Sequence, residues 1–160
     1  MNQKQYGPNF QEHLLEEYKL YVQMADNVTS RRLQANSFFI TVMSALLVFL
    51  SYTADNGMPE NIMYFGYMLI SILGVILSVV WYVILQSYRQ LNSGKFKVIH
   101  ELESQLPFPC YDSEWENLSG GGKSKKYIPF SQIEQFIPFI MAIPFFLMLV
   151  YAIYSLTAAQ

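Results

Sequence analysis

The chain has 160 residues, of which 52% are hydrophobic, 16% aromatic and only 14% charged. That composition excludes a disordered tail or a collagen-like chain, and the net charge of −2 excludes a strongly basic nucleic-acid binder. A single cysteine, Cys110, excludes an intrachain disulfide framework and a cysteine-built zinc site.

Pro8 and Asn9 supply a helix-start signal. Beyond them Leu14, Tyr18, Tyr21, Val22, Ala25 and Val28 recur at spacings of three and four, with Glu12, Glu16, Glu17 and Gln23 off that stripe. Residues 1–36 therefore read as a cytosolic amphipathic helix. No breaker separates it from an uncharged run at 37–53, about 26 Å long as a helix and just enough to cross hydrocarbon about 30 Å thick. That run starts well inside the chain and lacks a small-residue cleavage site, so it does not read as a signal peptide. A loop at 54–61 precedes a second uncharged run, 62–85, about 36 Å long.

The helical period continues through a cytosolic extension at 86–106, carried by Leu91, Val98, Ile99, Leu102 and Leu106, until Pro107 and Pro109 stop it. Residues 107–127 read as a cytosolic loop that ends in a glycine linker. A third span follows at 128–157, with a short external C-terminus. The fold class expected is an all-α integral membrane protein, with three transmembrane helices and a cytosolic helical pair, assembled as a cyclic homo-oligomer.

All ten lysines and arginines precede the first run or lie between the second and third. The positive-inside rule then places the N-terminus in the cytosol and the C-terminus outside. Trp81, Tyr82 and Tyr88 fit the inner headgroup layer, and Tyr52 and Tyr64 the outer one.

No residue pattern asks to be catalytic. The stretch SGGGKS lacks the spacing and the strand-to-helix setting of a phosphate loop. His13 and His100 are far apart, with no third ligand spaced with either. Cys110 sits beside Pro109 without an activating partner. Asp112, Glu114 and Glu116 offer carboxylates but no EF-hand loop. The expectation is a non-enzyme with no cofactor, no metal and no nucleic-acid partner.

The spans carry two stripes of small and hydroxyl residues. Ser37, Thr41, Ser44 and Ser51 share one face of the first, and Ser71, Gly74 and Ser78 one face of the second. Such residues ordinarily mark helix–helix seams, where backbones approach closely. The sharper reading has the first stripe line a water-filled lumen within an oligomer. In both readings the first two spans face protein and the third faces lipid. No ionisable residue sits in mid-span, so a single chain lacks what a proton pump or ion-coupled transporter needs.

At the inner interface, Arg31, Arg32 and Arg89 read as anchors, with Glu134 at the mouth of the third span. Pairing of Glu134 with one of these arginines is the structural alternative. Glu134 is also the acid closest to low dielectric, which makes it the first candidate for a pH- or ion-sensitive position.

Two stretches, EEYKLYVQMADNVTSRRLQANSFF and WYVILQSYRQLNSGKFKVIHELESQLPFPCYDSEWENL, resemble the RipA-type family of small octameric bacterial inner-membrane proteins. The likeness covers roughly residues 16–140. It is carried by Arg31, Arg32, Ala35, Asn36, Phe38 and Phe39, and later by Ser87, Tyr88, Arg89, Asn92, Lys95, Phe96, Glu103, Leu106, Pro107, Tyr111, Glu114 and Trp115. The resemblance implies an octamer in the cytoplasmic membrane, linked to stress or host adaptation. It makes Asn36, Pro107, Tyr111, Glu114 and Trp115 candidate subunit or partner contacts. The layout is also similar to the two-span SLATT-type membrane effectors of defence systems, from which the third span departs. The expected function is a pore or channel in stress response or defence, gated by the cytosolic helices. The alternative is a non-conducting scaffold that recruits a soluble partner through its cytosolic ring. The expected partners are further copies of the chain, membrane lipids and a cytosolic protein.

Overall fold

The computed structural model describes residues 6–54, 59–119 and 133–158. These residues form four principal helices: α1 (Phe10–Ala54), α2 (Glu60–Glu103), α3 (Cys110–Ser119) and α4 (Ile137–Ala158). Among the described residues there is no strand. Helices α1, α2 and α4 are each long and apolar enough to cross a membrane. The chain is thus an all-α protein with three potential spans, as its apolar runs require. The glycine linker, Lys123, Lys125 and Lys126, and the start of the expected 128–157 element lie outside the described residues.

Capping explains the helix limits. Asn9 contributes the carbonyl that accepts the His13 N–H at 3.0 Å, after a turn in which Gly7 takes a φ of 106°. Helix α2 starts on the carbonyl of Pro59, which accepts the Ile62 and Met63 N–H groups. It ends in a tightened turn, with Gln105 N–H donating to Leu102 O and Leu106 N–H to Glu103 O, immediately before Pro107.

One expectation about the elements needs correction. Within the stretch read as loop at 107–127, residues Cys110–Ser119 form helix α3. Both prolines precede it, and Pro109 O accepts the Ser113 N–H at 3.1 Å. A proline just outside a helix N-terminus removes no helical hydrogen bond, so the signal that ended α2 does not oppose α3. Asp112 in the first turn suits the positive end of the helix dipole. Within the expected third element, helix α4 runs Ile137–Ala158 after a turn at Gln135 and Phe136. Pro138 lies in its first turn, where a missing N–H costs nothing. Pro144 lies inside α4 without ending it.

The chain divides into two compact units, with α1 and α2 contributing to both. A polar unit comprises Met1–Arg31 and Tyr88–Pro129, and an apolar unit comprises Arg32–Ser87 and Phe130–Gln160.

In the polar unit the α1 stripe is as expected, with Leu14, Ala25 and Val28 buried and Tyr18, Tyr21 and Val22 half-buried. The α2 stripe holds except at Leu91, which is exposed: Ile99 is buried and Val98, Leu102 and Leu106 are half-buried, with Glu103 buried and Phe96 half-buried beside them. Lys95 places its ammonium 5.6 Å from the centre of the Tyr21 ring, and Phe96 meets Tyr111 edge-on at 5.5 Å.

In the apolar unit all three long helices meet. Met43 and Leu50 of α1, Tyr67 of α2, and Phe145 and Ala152 of α4 form one buried cluster. Phe39, Trp81 and Leu85 form a second, in which the Phe39 and Trp81 rings stack at 5.5 Å. Helix α4 inserts only the line Pro138, Phe145 and Ala152, spaced by seven. Little of it is buried, which leaves most of its surface for lipid or another subunit.

Candidate functional site

The apolar unit holds a chain of buried polar groups, Arg32–Glu134–Asn36–Trp81. Glu134 is 2% exposed, Asn36 8% and Trp81 0%. The Trp81 indole N–H donates to Asn36 Oδ1 at 2.9 Å, and Asn36 Nδ2 donates to Glu134 Oε1 at 3.2 Å. Arg32 Nε stands 3.1 Å from Glu134 Oε2. Nε has no hydrogen-bond partner, so this last contact is a charge pair rather than an aligned hydrogen bond.

Three features of the sequence create this chain. Arg32, Asn36 and Phe39 fall on one face of α1 by their spacing of four and three. Trp81 occupies the facing position of α2, and Glu134 the residue just before the turn into α4. A carboxylate at such depth is tolerated because each oxygen meets a donor or a cation.

Of the charges expected at the inner interface, Arg32 pairs with Glu134. Arg31 is exposed, and Arg89 is half-buried. Asn36, expected as a subunit or partner contact, is buried, and both ends of its amide are hydrogen-bonded inside the chain. Trp81, expected as an interfacial ring, is fully buried, with its N–H bound by Asn36.

The two hydroxyl stripes have different fates. Ser71, Gly74 and Ser78 are buried. A methyl group on Gly74 would overlap the ring of Phe145, so this stripe is a seam closed within one chain. It has no part in a lumen. Ser37, Thr41, Ser44 and Ser51 are all exposed. Thr41 Oγ1 donates to Ser37 O at 2.9 Å and Ser51 Oγ to Leu47 O at 3.1 Å, so these hydroxyls are satisfied along their own helix while facing outward.

The polar unit contains a second polar centre, which sequence spacing did not reveal. Glu103 is 1% exposed. Its Oε1 accepts the Tyr18 hydroxyl at 2.9 Å and the Tyr111 N–H at 3.0 Å. His100 Nδ1 lies 2.7 Å from Asp112 Oδ1 and 3.8 Å from Glu103 Oε2. The reading that left His100 without companion ligands is therefore corrected, since the turn between α2 and α3 brings Asp112 to it. The signal was present as His100-Glu-Leu-Glu103, an i, i+3 pair on the last turn of α2; the nine-residue step from Glu103 to Asp112 was opaque while 107–127 counted as loop.

Burial pushes the Tyr18 phenol well above its ordinary range, helped by its hydrogen bond to the Glu103 carboxylate. Burial also raises Tyr111, with nearby Asp26, Glu114 and Glu103 adding to the effect. Of the expected contact residues, Tyr111 is half-buried on Phe96, whereas Pro107, Glu114 and Trp115 are exposed.

Comparison with known proteins adds one finding. Residues 15–154 match the family model described as the octameric membrane protein family (8xMP). No curated protein and no solved structure matches the chain.

Proposed function

The chain belongs to the octameric membrane protein family, and on that basis we propose that its copies enclose a gated pore in the bacterial cytoplasmic membrane. The observation that carries this reading is the exposed stripe Ser37, Thr41, Ser44 and Ser51 on a helix otherwise suited to lipid. By its positions the stripe is turned roughly 130° away from the buried face of α1, at 100° per residue. A closed ring can direct that stripe to its axis while α4 remains outside. Hydroxyls there tolerate water and present no charge barrier to ions.

The polar unit is the natural gate, and catalysis has no part in this reading. The stress or defence setting rests on the family resemblance alone.

Reconstituted in liposomes, the assembly should conduct ions. Thr41→Leu and Ser44→Leu should cut the flux by about an order of magnitude through dewetting, whereas Ile143→Leu on the exposed side of α4 should not. An intact octamer without flux would refute the pore. The exposed rings of Phe108 and Trp115 favour a scaffold as the second reading, in which Trp115→Ala abolishes capture of a soluble partner while the vesicles stay tight.

The cations lie on one side of the spans, which supports a cytosolic polar unit. Cys110 is the only cysteine and is exposed, so a membrane-impermeant thiol reagent tests the orientation. Cys110 should stay unlabelled in intact spheroplasts, and react in inverted vesicles and in detergent. Labelling in intact spheroplasts would reverse the topology.

A further inference from the structure

We propose that His100, Glu103 and Asp112 form a binding site for a divalent transition-metal ion of the zinc type. The ligand atoms these residues offer lie within 4.8 Å of one another. Tetrahedral zinc with bonds of 2.0–2.1 Å separates its ligand atoms by about 3.3 Å. The distances of 2.7 Å and 3.8 Å from His100 Nδ1 bracket that value, so modest side-chain rotation suffices.

Proximity of acids and a histidine is common, and the state of Glu103 is what sets this cluster apart. Its carboxylate is buried and held in orientation by two donors on Oε1, the Tyr18 hydroxyl and the Tyr111 N–H. Its other oxygen, Oε2, is buried, faces His100 and has no hydrogen-bond partner. His100 Nδ1 is likewise buried, and it stands 2.7 Å from Asp112 Oδ1 without an aligned hydrogen bond. A buried carboxylate oxygen without a donor is costly, and a cation held between Glu103, His100 and Asp112 satisfies it.

The donors on Oε1 are the outer partners that a ligating carboxylate ordinarily has. Two carboxylates and one imidazole suit a borderline cation better than a soft one. His100 and Asp112 also line a cleft of about 560 Å³, together with Phe96, Tyr111 and Trp115. The three protein ligands therefore leave room for water or another small ligand on the cleft side. The ion would join the end of α2 to the start of α3, and through Tyr18 it would stiffen the contact with α1. The site stands independently of whether the assembly conducts.

The test uses the purified full-length assembly in detergent, with Zn2+ for equilibrium dialysis and Co2+ for visible absorption. The expected result is saturable uptake of one ion per chain and a cobalt spectrum of reduced coordination number. His100→Ala and Asp112→Asn should abolish uptake, and Tyr18→Phe should weaken it by about 10- to 100-fold. The Asp112 side chain is more than half exposed, so Asp112→Asn keeps the test open even if another variant misfolds. Absence of saturable uptake by the unaltered chain would overturn the site. So would uptake that survives both His100→Ala and Asp112→Asn.

Discussion

Glu134→Ala is expected to destabilise the apolar unit by about 3 kcal/mol, the lower end of the range for breaking a buried ion pair. The lower end applies because the Arg32 side chain is 12% exposed and can reach toward water, whereas Glu134 cannot. The loss has two parts. Arg32 loses the carboxylate beside it, and Asn36 loses the acceptor of its Nδ2. The second loss passes to Trp81, whose indole depends on the orientation of the Asn36 amide. Thermal unfolding in detergent, followed by loss of the oligomer, measures the effect. Removing both charges together, as Arg32→Met with Glu134→Leu, should recover most of the stability, because a well-packed apolar pair avoids the desolvation of two ions. A Glu134→Ala protein that unfolds at the temperature of the unaltered one would show that the carboxylate carries no structural weight.

Gly74→Ala is expected to cost about 1–3 kcal/mol, against the ordinary gain from alanine in a helix. The added methyl would enter the ring of Phe145, and Phe145 is fully buried with no open side to move into. Gly94→Ala provides the contrast. No atom lies within 4 Å of the Cβ it would add, so it should gain roughly 0.5–1 kcal/mol from helix propensity. Melting temperatures that shift in opposite directions would support a close α2–α4 seam at Gly74. Equal shifts would argue that α4 does not dock there. Combining Gly74→Ala with Phe145→Leu should relieve the clash and restore part of the loss.

Together these two predictions separate the apolar unit into an electrostatic tie and a steric seam. The tie joins α1 to the entrance of α4 and to Trp81 of α2. The seam lets α4 lie against α2 along a narrow line. Both are internal to one chain, whereas Ser37, Thr41, Ser44 and Ser51 stay exposed on α1.

Uncharged runs long enough to cross a bilayer sufficed to establish an all-α membrane protein with three spans, because backbone polar groups in lipid must be satisfied within helices. The period of three and four likewise marked the buried face of α1 in the polar unit, from Leu14 to Val28. These are local properties, written in consecutive residues. Partner choice across space was not legible. Serine and glycine stripes look alike on α1 and α2, yet one closes onto Phe145 and the other stays open, since only a neighbouring helix decides which face is covered. Trp81 has the composition of an interfacial anchor, and Asn36 on another helix made it a core residue. Three arginines stood as possible partners of Glu134 in the sequence, and the fold sets Arg32 beside it. The His100–Glu103–Asp112 cluster required a helix after Pro109, which proline-rich composition conceals because a proline that ends one helix can equally stand before the next.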